Sequence, residues 1–217
     1  MSNADIAQTL AESGAARAGA SAGQPTADAR ARVERAVLQM HLAWGVAWFI
    51  GFGLLFLHDG PDSRTFVSMP AWLPITTLMV LLVVAGVVTF VVGARAFSRD
   101  AVGELIAQQA RRYGAAWLLG FVGLILTIGK ITSDLPDETK GLLWGATTTG
   151  LVGVLHIAGS ALWGDRSRLR WGIWVTFINV VGVMAGQGWQ DLIICVAGGA
   201  LSLILGGRQW TQSRSSS

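Results

Sequence analysis

From residue 38 onward the chain alternates long apolar stretches with short polar ones. Six apolar runs can be read, at roughly 38–57, 71–94, 114–132, 142–163, 169–186 and 189–207. A hydrocarbon core about 30 Å thick is crossed by about 20 helical residues. Each run meets that length, the fifth only by including its flanking residues. The pattern predicts an all-α, polytopic membrane protein of six transmembrane helices. Residues 1–36 would be a disordered tail and a cytoplasmic lead-in to the first helix, 37–210 the transmembrane domain, and 211–217 a second disordered tail.

Composition supports this division. Of the 217 residues, 52% are hydrophobic and only 13% charged, against about 25% charged in a typical soluble domain. Residues 1–25, rich in Ala, Gly, Ser and Gln, have too few large apolar side chains to build a core. Thr26 is placed to cap a helix that runs through Arg35 into the first span. That span lies behind a polar lead and is too long for the apolar region of a signal peptide, so it is expected to remain as the first helix. In the second connection, Val102, Leu105 and Ile106 recur opposite Arg99, Glu104, Gln108 and Arg111, which predicts a short amphipathic helix on the cytoplasmic face. Gly186 to Gly188 predicts a close hairpin between the last two spans.

The basic residues set the expected orientation. Thirteen of the 16 Lys and Arg fall in the two tails and the second and fourth connections, and three (Arg64, Lys130, Lys140) fall on the other side. By the positive-inside rule both termini are expected in the cytoplasm and the protein in the plasma membrane. The same asymmetry accounts for an isoelectric point near 9.7, so nucleic acid is not needed as a partner. Trp44, Trp163, Trp171 and Trp210 near one set of helix ends, and Trp72, Trp144 and Trp189 near the other, form the expected interfacial belt.

The spans also echo one another. The odd helices open with Trp44-Gly45-Val46-Ala47-Trp48, Tyr113-Gly114-Ala115-Ala116-Trp117 and Trp171-Gly172-Ile173-Trp174. The even helices close with Gly93-x-Arg95, Gly164-x-Arg166 and Gly206-x-Arg208. Aligning those endings exposes small residues every four positions: Ala85, Thr89 and Gly93 in the second helix, and Gly198, Ser202 and Gly206 in the sixth. The fourth gives His156, Ser160 and Gly164. Residues four apart share a helix face, and small ones let membrane helices approach closely. The chain thus reads as three two-helix hairpin repeats around a pseudo-threefold axis along the membrane normal.

Few residues inside the spans carry chemistry. His156 is either a titratable contact for a solute or proton, or a neutral histidine bonded to a neighbouring helix. Asn179 can hold a substrate or join helices. Asp59, Asp62, Asp134, Asp137, Glu138 and Asp191 give an acidic outer face, with Gln187 and Gln190 beside the last turn. No HExxH, paired CxxC, Walker loop or Gly-x-Ser-x-Gly elbow occurs. His41, His58 and His156 are too far apart along the membrane normal to share a metal. No enzyme activity, cofactor or metal is expected, and the lone Cys195 makes no intramolecular disulfide.

The phrases HLAWGVAWFIGFGLLFL, YGAAWLLGFVGLIL and AGGALSLILGG resemble a group of uncharacterised six-helix membrane proteins of high-GC Gram-positive bacteria, often described only as transporters. The three-hairpin arrangement more loosely resembles the HdeD-like acid-resistance proteins. Two functions follow. One is a small permease or channel for a small solute, its pathway on the threefold axis with His156, Ser160 and Asn179 as polar contacts. The other is a non-transporting regulatory or stress module, or a subunit of a larger complex. The expected partners are the lipid bilayer and either a homo-oligomer or a membrane partner protein.

Overall fold

A computed structural model of the chain describes residues 27–98 and 102–215, and no strand occurs among them. The expected disordered tail at 1–25 and the Thr26 cap lie outside the described residues. The helices are α1 (Ala27–His58), α2 (Trp72–Ala96), α3 (Glu104–Ile131), α4 (Asp137–Trp163), α5 (Arg166–Ala185) and α6. The last is continuous in three parts: an α-helical turn Trp189–Ile193, a π-helical stretch Ile194–Ala200 and an α-helical remainder Leu201–Ser215. A single 3-10 turn, Pro61–Ser63, lies between α1 and α2.

Local chemistry sets the helix ends. Asp165 caps α5 by accepting hydrogen bonds from the backbone N–H of Ser167 (2.8 Å) and Arg168 (3.3 Å). Just before it, Gly164 closes α4 in the left-handed conformation, φ 65°. The α5–α6 hairpin turns through Gly186 (φ 91°) and Gly188 (φ 77°), backbone values that glycine adopts without strain. The expected amphipathic helix in the second connection lies partly outside the described residues; Val102 is helical, and Gly103 (φ 82°) separates it from α3. From Glu104 the backbone runs unbroken into the span, because no glycine or proline interrupts residues 104–113, and Arg111 pairs with Glu104 at 3.1 Å along it.

Five helices are long and apolar enough to cross a membrane: Ala31–His58, Trp72–Ala96, Glu104–Ile131, Asp137–Trp163 and Trp189–Arg208. The exception is α5, whose first turns carry Arg166, Arg168 and Arg170. Even so, α5 runs the length of the bundle, since Arg168 lies beside Tyr113 and Trp163 while Gly188 packs on the Gly60–Pro61 backbone. Large apolar side chains point outward, with Phe90 77% and Met184 83% exposed. In water such faces would associate; in hydrocarbon they are solvated, and helices satisfy their own backbone groups.

Consecutive helices run in opposite directions, so the bundle has two chemically different ends. One carries the 59–71, 132–136 and 186–188 connections with Asp59, Asp62, Asp134 and Asp137, and is called the acidic end below. The other receives the starts of α1, α3 and α5 and the close of α2, α4 and α6, with Arg95, Arg111, Arg112, Arg166 and Arg168, and is the basic end.

Within the bundle α1 lies between α2 and α6, and α5 lies between α6 and α4, while α3 packs mainly on α4. The small-residue ladders of α2 and α6 both face α1. Trp44 donates its indole N–H to Thr89 Oγ1 (2.9 Å), Gly93 faces Met40, Gly198 faces Trp48, and Gly206 faces Leu42. Gly164, by contrast, is a cap with open space around it. The repeat-equivalent Trp48 and Trp117 reach different partners, Gly198 on α6 and His156 on α4. The helix contacts therefore do not repeat around a threefold axis.

Candidate functional site

A close seam joins α4 to α5 and α6, and it is built on α4 residues spaced four apart: Gly141, Gly145, Thr149 and Gly153. Gly153 meets Thr176, and a methyl placed on Gly172 would come within 2.9 Å of Gly153 O. Two backbones are thus almost in contact there, which only glycine allows. This row was not identified from sequence, where the fourth helix was aligned by its Gly-x-Arg ending and the face His156, Ser160, Gly164 was selected. The signal was available as the plain spacing of Gly141, Gly145 and Gly153.

Three carboxamide side chains lie along this seam. Gln187, in the α5–α6 turn, reaches over Gly141, whose added methyl would be 2.9 Å from its Nε2. Gln190, on the first turn of α6, passes its stem against Gly182 (3.0 Å to Cγ) and brings its head over Gly145 (2.8 Å to Oε1). Asn179, on α5, donates from Nδ2 to Ala146 O at 2.8 Å and lies beside Gly150. At about 1.5 Å of rise per residue, the stretch of α4 from Gly141 to Gly150 covers about 14 Å. The row therefore descends from the acidic end to about mid-helix.

Each carboxamide has a buried atom without a hydrogen-bond partner: Gln187 Oε1, Gln190 Nε2 and Asn179 Oδ1. Gln190 is 1% exposed and Asn179 8%. An unpaired buried polar group costs about 1–3 kcal/mol, and such groups are normally paired with protein or with ordered water. Trp163 Nε1, at the basic end, is a fourth such atom, so three of the four gather in this row. Beside the row, Asp191 is 8% exposed on the same turn as Gln190 and within electrostatic reach of Asp59. Asp59 is itself paired with His58 at 2.7 Å.

The other two sequence candidates sit elsewhere. His156 Nδ1 donates within its own helix to Val152 O (2.9 Å), and its ring meets the Trp117 ring edge-on at 5.4 Å. Ser160 donates back to Ile157 O (2.6 Å) and lies in a shallow groove at the basic end with Asp165 and Arg166. His156 is six residues beyond Gly150, on a different face of α4, so it is not brought together with Asn179. Around it is an aromatic cluster in which Tyr113 donates to Leu155 O (2.7 Å) and meets Trp163 edge-on (4.8 Å). Arg168 lies over the Trp163 ring at 4.7 Å. Among the described residues, no three His, Cys, Asp or Glu are grouped to hold a metal.

With this geometry in view, no known protein family, curated relative or solved structure matches the chain. The apolar helices are those of an integral, multi-pass membrane protein.

Proposed function

We propose that this chain is a small permease whose solute pathway follows the carboxamide row between α4, α5 and α6. In this reading α5 is a sixth span, its arginines lying at lipid headgroups. The basic end faces the cytoplasm, and the acidic end faces outward across the plasma membrane. The observation that carries the proposal is the row itself, with three carboxamides, those of Asn179 and Gln190 buried, each leaving one buried atom unpaired on a glycine-lined seam. A bundle needing only to stay assembled has no use for unpaired amides, which cost stability unless water or a solute fills them. Of the earlier candidates Asn179 belongs to this pathway, while His156 and Ser160 stay with the aromatic cluster at the basic end. The echo between hairpins is then a matter of their shared origin, with the pathway off any threefold axis.

Thiol accessibility tests this. In a Cys195→Ala background, Thr149→Cys places one sulfur midway along the row with little change of volume. A water-soluble, membrane-impermeant thiol reagent is expected to reach it from the acidic side and, as the pathway exchanges, from the basic side of inverted vesicles. Labelling from one side alone, or from neither, would show a dead-end site or a dry seam and overturn the permease.

A further inference from the structure

We infer that the row selects small neutral solutes that both donate and accept hydrogen bonds, the class of urea and simple carboxamides, over ions; this rests on the permease reading above. The three carboxamides of the row each offer an N–H donor and a carbonyl acceptor side by side. An ion of either sign would find only dipoles there. A planar solute with its own donors and acceptor can exchange hydrogen bonds with one head after another.

The surroundings exclude full charge. On α4 no Asp, Glu, Lys, Arg or His occurs between Lys140 and His156, and on α5 none occurs between Arg170 and Ala185. A charged solute halfway along the seam would therefore have no counter-ion on α4 or α5, and desolvating it is far costlier than desolvating an amide. Asp59, at the mouth, adds repulsion against anions. Size is limited too: Gln190 fills the slot between Gly145 and Gly182, so a solute no larger than its head is what the slot admits when that side chain moves.

The test is solute flux through the full chain reconstituted in lipid vesicles, followed by light scattering after an inward gradient of urea or acetamide, with potassium flux measured in parallel. Urea and acetamide are expected to re-swell the vesicles about tenfold faster than protein-free controls, with no gain in potassium flux. Gln190→Leu is expected to return urea flux to the control rate. Gly145→Ala removes no polar group but sets a methyl against the Gln190 amide, and should cut the rate several-fold. Because it is the milder change, it serves if Gln190→Leu fails to fold. Potassium flux that these variants abolish would overturn the neutral-solute class and leave the permease standing. Two-sided labelling of Thr149→Cys with no urea or acetamide flux would do the same. The absence of both labelling and flux would overturn the permease and, with it, this inference.

Discussion

Glycines in this protein divide into those that touch a neighbouring backbone and those that only turn the chain, and substitution should separate them sharply. Gly153 faces Thr176 and the backbone of α5 at Gly172, with no room for a larger side chain. Gly153→Leu is expected to cost about 1–3 kcal/mol through overpacking, read as a lower midpoint of unfolding in detergent. Gly164, with open space around it, should cost only its left-handed conformation when changed to Ala, about 1 kcal/mol. His156→Phe keeps the edge contact with Trp117 and loses only a bond within α4. Solute flux should stay within about twofold of the parent, and a loss of tenfold or more would return His156 to the pathway. At this scale the sequence was partly legible. Asn179 stood out as a polar residue in an apolar run, whereas Gln187 and Gln190 looked like solvated turn residues. Their burial depends on Gly141, Gly145 and Gly182 coming from elsewhere in the chain, and no local pattern encodes that meeting.

Among the helices, α6 departs most from regularity. Its π-helical stretch, Ile194–Ala200, takes up one extra residue in a widened turn between the turn bearing Gln190 and Asp191 and the remainder bearing Ser202 and Gly206. The carbonyl of Ala197 within it accepts the Trp174 indole N–H at 2.9 Å, and Cys195 Sγ lies 3.2 Å from Phe49 O. The wide turn thus lets one helix face α1 with its small residues and α4 with Gln190. Deleting Val196, which is 54% exposed, should restore a regular α-helix. It would remove the widened turn whose Ala197 carbonyl accepts the Trp174 indole N–H, and so loosen the α5 contact beside which Gln190 is seated. Helix content by circular dichroism should be unchanged while urea flux falls to the control rate. That several long apolar helices form was readable from the apolar runs because hydrocarbon demands them. The π-helix was not, since Gly198 and Gly199 fit an α-helix equally well. Of the expected amphipathic stretch, Leu105 and Ile106 belong to the start of α3, since spacing alone does not tell a helix lying flat from the extension of a span.

Taken as a whole, the molecule is an open chain of neighbours in which α1 and α5 each have a helix on both sides, and α2 and α3 hang at the margins. Such an arrangement makes the partners of α1 unequal in time. Its contacts with α2 lie close in sequence, but Trp48 and Gly45 meet Gly198, Ser202 and Leu203 on the last helix. Ribosomes deliver α1 well before α6, so until α6 is made the Trp48 indole faces lipid instead of protein. The contact between the two helices closes only then. A chain stopped after Gly188 should therefore insert five helices yet remain unlatched, and pulse–chase labelling is expected to show it cleared several-fold faster than the full protein. Joining the earliest helix to the latest gives the membrane's quality control a simple mark of completeness.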